Sequence, residues 1–287
     1  MEVNEIIKKV KLIELKTKRT NQVFLGEYHS SFKGRGMIFS EVRPYSYGDE
    51  IRSIDWNKTA HFNEPYVKVF EEERELVLIL LIDISGSLDY GTRKQMKKQT
   101  LLEICATLAF SSINNNDKVG AIFYTNQVEL YIPPKKGKKQ ALKILRELIE
   151  RQPKSKETNL EVALNFFNKV TKRKSIAFVL SDFENTNYQE ALKNASRKHD
   201  ITGIRIFDEK EKTMPNIGLV KMKDLETNEI KWIDTTANKV RQFHQNHYQK
   251  IEAYFLNSFS KNGLGAISIK NNEDYIKPLL NFFKKHH

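Results

Sequence analysis

The sequence has a single cysteine, Cys105, among its 287 residues. One cysteine excludes an intramolecular disulfide, and its place in an apolar helical pattern predicts a buried structural thiol. Residues 1–20 are charged and mixed, so they do not resemble a signal peptide. The longest apolar run, residues 76–82, is far too short to cross a bilayer. We therefore expect a soluble cytoplasmic protein.

Common motifs of catalytic and nucleotide-binding proteins are also missing. The sequence has no G-x-S-x-G nucleophile elbow, no G-x-x-x-x-G-K-[ST] phosphate loop and no G-x-G-x-x-G dinucleotide turn. The histidines lack the H-E-x-x-H spacing, and His247 falls on the apolar face of a predicted helix, which favours packing. Asp83 could imitate a phosphatase aspartate, but Ser85 stands where a second carboxylate would be needed. These absences disfavour the alternative of a metal-dependent hydrolase.

Negative charge is in short supply, since the formal net charge is +12. Residues 131–156 alone hold nine Lys or Arg residues against two Glu residues. A solvated lysine-rich surface explains this without any function, and nucleic-acid binding is an alternative. The stretch lacks interleaved aromatic residues and any nucleic-acid-binding motif. We therefore favour a third interpretation, in which the basic stretch draws an acidic partner surface toward the site described below.

Strands and helices alternate from residue 76 onward. Residues 76–82 and 176–180 are continuous apolar runs of strand length, typical of strands buried on both faces of a parallel sheet. Apolar residues recur at helical spacing between such runs. The pattern predicts a three-layer, doubly wound, mostly parallel α/β domain over residues 76–287, with a hairpin inserted at 208–235. Residues 1–75 read as a partly helical lead-in to residue 33, then short strands and turns packed against the sheet.

Oxygen-bearing side chains follow the predicted strands. Asp83, Ser85 and Ser87 come directly after the first buried strand, Thr158 precedes a predicted helix, and Asp182 follows the strand at 176–180. Ligands of open α/β sheets bind at the carboxyl ends of the strands, so these side chains can converge there. Carboxylate and hydroxyl oxygens suit a hard cation such as Mg²⁺. The sequence therefore predicts a metal site at this edge.

Structural roles are an alternative for each of these residues. Asp and Ser after a strand often form a turn. Thr158 and Glu161 have the spacing of a capping box. Asp182 could cap the segment that follows it.

The D-x-S-x-S string at Asp83, Ser85 and Ser87, followed by Thr158 and Asp182, resembles the metal-ion-dependent adhesion site of von Willebrand factor A domains. The resemblance implies that both serines ligate the cation directly and that Thr158 does so directly or through water. It implies that the two aspartates hold coordinated waters, and that a partner protein supplies the last ligand as a carboxylate. The implied cofactor is Mg²⁺, or another divalent cation such as Mn²⁺ or Ca²⁺.

The string RPYSYGDEIRSIDWNKTA at residues 43–60 closely resembles the signature of the bacterial family called domain of unknown function 58. Members carry this string ahead of a von Willebrand factor A-like domain, and they are typically encoded beside MoxR-type AAA+ ATPases. Many have N-terminal membrane helices that this sequence lacks. The resemblance implies a non-enzymatic, metal-dependent protein-interaction module, a partner or adaptor of a MoxR-type ATPase in a chaperone-like system.

Inside this signature, the residue spacing suggests structural roles. Asp49, Arg52 and Asp55 are placed to form an internal ion-pair network, and Trp56 could wedge into the domain. A second partner-binding face is the alternative.

Overall fold

The structure, a computed structural model, describes residues 38–71, 76–89, 91–92, 95–223 and 229–285. Within them, residues 38–71 form one compact unit and the residues from 76 onward form another. The lead-in predicted for residues 1–33 lies outside the described residues, as do residues 224–228 of the hairpin predicted at 208–235.

The N-terminal unit is a small antiparallel pair with a helix between its strands. Strand β1 (Ile38–Pro44) pairs with β2 (Tyr66–Glu71). A 3-10 turn (Ile51–Ser53) and helix α1 (Trp56–Phe62) connect them. The sequence predicts short strands and turns here but not the helix.

The signature residues in this unit make different contacts from those predicted. Asp49 accepts two hydrogen bonds from the guanidinium of Arg43, at 2.7 and 2.8 Å, rather than pairing with Arg52. This pairing lowers the pKa of Asp49. Asp55 caps α1 by accepting its first backbone N–H groups. Trp56, predicted to wedge into the fold, is 68% exposed. The predicted network was therefore wrong in its partners, although Arg43, Asp49 and Asp55 do hold the signature together locally.

The second unit is built on one six-stranded sheet. Its strands are β3 (Val77–Asp83), β6 (Lys118–Tyr124), β7 (Val128–Lys135), β8 (Ile176–Ser181), β9 (Asp200–Phe207) and β12 (Gly265–Lys270). Their spatial order is β12-β9-β8-β3-β6-β7, with every neighbouring pair parallel except β6 and β7. Two small antiparallel pairs lie outside it, β4 (Gly91–Thr92) with β5 (Gln95–Met96) and the predicted hairpin β10 (Leu219–Lys223) with β11 (Ile230–Asp234).

Helices cover both faces of the sheet. They are α2 (Lys97–Asn114), α3 (Lys138–Glu150), α4 (Leu160–Val170), α5 (Gln189–Ser196), the single turn α6 (Glu209–Lys212), α7 (Asn238–Ser260) and α8 (Ile276–Lys285). Helices α4, α5 and α7 share one core cluster with the sheet. Helices α2, α3 and α8 lie on the other face. The predicted three-layer, mostly parallel α/β fold is confirmed.

Strand β3 forms the centre of the core because apolar residues occupy both of its faces. Residues 78–82 are all fully buried. Ile79 and Leu81 enter the cluster with α4, α5 and α7, and each such burial contributes about 1.5–3 kcal/mol. On β9, Gly203 lets α7 approach closely, since a Cβ there would lie 2.6 Å from a ring carbon of Phe259. The predicted buried thiol is also confirmed: Cys105 is fully buried on α2, and burial raises its pKa.

Helix α7 packs on the sheet only through its second half. Its buried apolar residues are Tyr248, Ile251, Phe255 and Phe259. The inward position predicted for His247 is wrong, since it is exposed and stacks on a neighbouring ring. The spacing of the apolar residues predicted which side of α7 faces the sheet. It did not predict that only the second half of the helix contacts the sheet. Among the residues described, no helix combines the length and the apolarity needed to span a bilayer.

Candidate functional site

The predicted site residues lie where two neighbouring parallel strands end. Asp83 is the last residue of β3, and Asp182 directly follows β8. These strands are adjacent in the sheet, so their carboxyl ends meet at one edge. Ser85 and Ser87 lie in the loop after β3 and are 2% and 5% exposed. This edge is therefore lined with buried polar groups.

Asp83 is the hub of these contacts. One carboxylate oxygen, Oδ1, accepts the backbone N–H of Ser85 at 2.8 Å. The other, Oδ2, accepts the hydroxyls of Thr158 at 3.0 Å and Ser181 at 2.7 Å. The hydroxyl oxygens of Ser85 and Ser87 lie 3.1 Å apart. One buried carboxylate thus draws together three separate segments of the chain.

Thr158 takes part in the site rather than capping a helix. The N-cap of α4 is Asn159, whose side chain accepts the backbone N–H of Glu161. The Thr158 hydroxyl is therefore left to donate to Asp83. The Thr158 carbonyl accepts a hydrogen bond from the side chain of Asn185, which lies in the loop after β8. The capping-box alternative for Thr158 is wrong.

Asp182 is held by two cationic side chains. Its Oδ2 accepts a hydrogen bond from the Lys97 ammonium at 3.1 Å, and its backbone oxygen accepts one from Arg205 Nε at 3.1 Å. Its Oδ1 is buried and has no hydrogen-bond partner. The next residue, Phe183, has a φ of 55°, a left-handed conformation that is uncommon for a non-glycine residue and frequent near functional sites. Asp182 caps no helix, since α5 begins only at Gln189.

Negative charge is concentrated at this edge. Burial, followed by the charge of Asp182, raises the pKa of Asp83 to about 6, although hydrogen bonds from Ser181 and Ser85 oppose the shift. Burial alone would lower the pKa of Lys97, but Asp182 and then Glu211 outweigh it and hold that pKa above its usual value. The carboxylates therefore favour any cation that can reach them.

The residues fit a small divalent cation in two respects. Buried polar atoms are normally hydrogen-bonded, so the unpartnered Asp182 Oδ1 indicates a water or ion beside it. The hydroxyls of Ser85 and Ser87 are hydrogen-bonded to each other at 3.1 Å. Neighbouring ligands of an octahedral ion with ligands at about 2.1 Å are about 3.0 Å apart, so both oxygens could bind one ion without moving apart. Within the described ranges, no three His, Cys, Asp or Glu side chains form a metal cluster. Any cation here would therefore rely on hydroxyl ligands.

Comparison with known proteins identifies the family. A family model described as "Protein of unknown function DUF58" matches residues 41–254. The chain belongs to the DUF58 family. The resemblance predicted from residues 43–60 is therefore confirmed.

This DUF58 member has uncharacterised relatives and similar solved structures. The uncharacterised protein Rv1480 of Mycobacterium tuberculosis is 26% identical over 226 residues, which cover 77% of this chain and 71% of that protein. The conserved hypothetical protein BatB of Bacteroides thetaiotaomicron is 16% identical with a TM-score of 0.47, covering 74% of this chain and 98% of that one. The SpRpn10 VWA domain is 13% identical with a TM-score of 0.39, covering 72% and 95%. The strand order of this DUF58 chain itself defines its fold.

Ser181 and Lys97 are among the residues of this DUF58 site that the sequence-based prediction missed. Ser181 donates to Asp83 and also accepts the backbone N–H of Phe183. Lys97 is fully buried at the start of α2. Its spacing carried a signal, because it precedes the buried Leu101 by four residues and so lies on the buried face of that helix. A lysine on a buried helical face needs a partner, which here is Asp182.

The basic stretch of residues 131–156 divides between the two edges of the sheet. Lys135 pairs with Val119 at the start of β6, so the lysines around Gly137 lie at the edge opposite the site. Helix α3 then returns the chain to the site edge, where the Lys156 carbonyl accepts the backbone N–H of Gly86. Only the end of the stretch, from Arg151 onward, is placed to steer a partner toward the site.

Proposed function

We propose that this DUF58 protein is a protein-interaction module whose sheet edge holds one divalent cation, preferably Mg²⁺, that binds an acidic residue of a partner. Ser85 and Ser87 would ligate the cation, and Thr158 would do so directly or through water. Asp83 and Asp182 would hold its waters. Bound there, the cation supplies a positive charge and an open coordination position for a carboxylate.

The unpartnered Oδ1 of Asp182 is the observation that carries this proposal. It is a buried anionic oxygen beside a second buried carboxylate, Asp83. Leaving such an atom unsatisfied is costly in a folded protein. A hydrated cation removes that cost. Because its direct ligands would be mainly neutral hydroxyls, the cation would keep enough charge to attract a partner's carboxylate.

The surroundings of Asp83 favour binding over hydrolysis. A phosphatase-like nucleophile needs a carboxylate oxygen free to attack its substrate. Both oxygens of Asp83 already accept hydrogen bonds, and the residue is fully buried. The arrangement suits a residue that positions others.

The proposed partner is a MoxR-type AAA+ ATPase. Membership in the DUF58 family supports this choice, because members are typically encoded beside such ATPases. The basic residues at the site edge would favour an acidic partner surface. The nucleic-acid alternative loses support because the basic stretch is split between opposite edges of the sheet.

Calorimetric titration of Mg²⁺ and Mn²⁺ into the metal-free protein tests the cation site. We expect one bound ion per chain in the wild type and none in Ser85→Ala. Ser85→Ala should retain the wild-type circular dichroism spectrum, because only one hydroxyl is removed. Ser260→Ala is the matched control, since Ser260 is exposed at the end of α7. Equal ion binding by wild type and Ser85→Ala would refute the assignment.

Binding to the purified MoxR-type ATPase of the same organism tests the partner. A chelator is a poor probe here, because nucleotide-bound ATPases use Mg²⁺ themselves. The comparison should therefore be made at constant Mg²⁺ between wild type, Ser85→Ala and Ser260→Ala. We expect the first substitution to abolish binding and the second to leave it unchanged. Binding of all three with one affinity would exclude the metal from the interface.

A further inference from the structure

A lysine ammonium is built into the interior of the candidate site. The side chain of Lys97 is 1% exposed. Its Nζ lies 3.1 Å from Asp182 Oδ2 and 2.5 Å from Glu211 Oε1. Lysine is almost never fully buried without such partners. The ammonium therefore links α2, the end of β8 and the single turn α6.

This contact distinguishes the two oxygens of Asp182. Oδ2 is occupied by Lys97, whereas Oδ1 is buried without a partner. Arg205 fixes the backbone oxygen of the same residue. Asp182 is thus held from two sides, and only one carboxylate oxygen is left for a cation or its water.

The same ammonium also alters the charge of the site. Asp83, Asp182, Glu184 and Glu211 bring negative charge to this region, and Lys97 offsets part of it. Charges at such separations interact strongly inside a protein, where solvent screening is weak. A fixed positive charge on the far side of Asp182 therefore opposes the arrival of a divalent cation.

We propose that Lys97 is a positioning residue that sets the cation affinity of the site, holding Asp182 in place while keeping the affinity low. The inference rests on the proposed function. A weakly held cation would depend on the partner's carboxylate for full occupancy, and by linkage the cation would strengthen partner binding equally.

Glu211 has the opposite effect on the site, because its negative charge offsets the positive charge of the Lys97 ammonium. It shares the Lys97 ammonium with Asp182, and its other oxygen accepts the backbone N–H of Asp208. Removing the charge of Glu211 would leave more of the positive charge of Lys97 uncompensated beside Asp182. Glutamine at this position keeps one acceptor oxygen, which can still accept the Asp208 N–H, while its uncharged amide group replaces the oxygen that faces the ammonium. Loss of Lys97 and loss of the Glu211 charge should therefore change the cation affinity in opposite directions.

Calorimetric titration of Mn²⁺ into the full metal-free chain tests the inference. Lys97→Met, which keeps the length and apolar stem, should bind Mn²⁺ at least about tenfold more tightly than wild type. Glu211→Gln should bind it several-fold more weakly. Lys143→Met removes an exposed lysine charge from α3 and should change the affinity by less than about twofold, because exposed charges are screened. Thermal melts and circular dichroism establish that each variant is folded.

The outcomes separate the two proposals. If wild type binds no Mn²⁺, the proposed function fails, and this inference fails with it. If wild type binds Mn²⁺ but Lys97→Met and Glu211→Gln match it, or both weaken binding, Lys97 is only a structural lysine and this inference alone is overturned. If Lys97→Met does not fold, Glu211→Gln decides: weaker binding supports the inference and unchanged binding overturns it.

Discussion

Replacing Asp83 by asparagine should remove a pH-dependent stability cost from the metal-free protein. Burial and Asp182 raise the pKa of Asp83 from 3.8 to about 6, a shift worth about 3 kcal/mol. Because the folded-state pKa is the higher one, the contribution to stability is fully present below 3.8 and is lost as pH rises through 6. At neutral pH the charge of Asp83 therefore lowers the stability of the metal-free fold relative to acidic pH, and Asp83→Asn should show no such loss. Asparagine has only one acceptor oxygen for the three groups that donate to Asp83, so the comparison is made on the pH dependence of stability and not on its absolute value.

The assay is thermal unfolding of wild type and Asp83→Asn in chelator across the acidic range. As the pH falls from about 8 to about 5, protonation of this single carboxyl should raise the free energy of unfolding of wild type by about 1.4 kcal/mol relative to that of the variant. That difference corresponds to about 3–5 °C in Tm for a domain of this size. Subtracting the variant curve removes the contribution of the titrating groups that do not interact with Asp83. Parallel curves would refute the raised pKa.

Magnesium should stabilise wild type but not Asp83→Asn at about pH 8. A cation beside Asp83 favours its charged form, so Mg²⁺ should raise the Tm of wild type in a concentration-dependent way. Asp83→Asn should show no such rise. A Tm increase of the same size in both proteins would mean that the ion acts elsewhere.

Further predictions concern steering and packing. Lys154→Glu, at the site edge, should slow partner association by about two- to tenfold at low salt in stopped-flow measurements. Lys139→Glu, at the opposite edge, should leave the association rate nearly unchanged. Equal effects of the two substitutions would exclude local steering. Gly203→Ala places a Cβ within 2.6–2.8 Å of ring carbons of Phe255 and Phe259. The substitution should therefore lower the free energy of unfolding, measured in urea, by about 1–3 kcal/mol. A variant as stable as wild type would show that α7 can move away from the sheet.

The sheet was predictable because its strands are long and buried on both faces. Residues 78–82 and 176–180 are continuous apolar runs, and all of them are buried. Such runs have few alternatives to a central parallel strand. The order of the strands was not predicted: the structure places β3 beside β8, which brings Asp83 and Asp182 to one edge.

Other features depended on contacts that one sequence does not encode locally. Thr158 and Glu161 have the spacing of a capping box, but Asn159 is the N-cap of the helix. The Thr158 hydroxyl instead donates to Asp83, which lies 75 positions earlier in the chain. The pairing of Asp49 with Arg43 rather than Arg52 depends on the turn between them. Lys97 was detectable in principle from its helical spacing, but its partners become evident only when three elements meet.

In the proposed site, the hydroxyls of Ser85 and Ser87 and the unpartnered oxygen of Asp182 surround one cation. Anomalous diffraction from crystals grown with Mn²⁺ would locate that ion. We predict one strong peak at the carboxyl edge of β3 and β8, in direct contact with both serine hydroxyls and at hydrogen-bonding reach of Asp182 Oδ1 through water. An empty edge at saturating Mn²⁺, with Asp182 Oδ1 satisfied by another protein group, would show that these residues do not form a cation site.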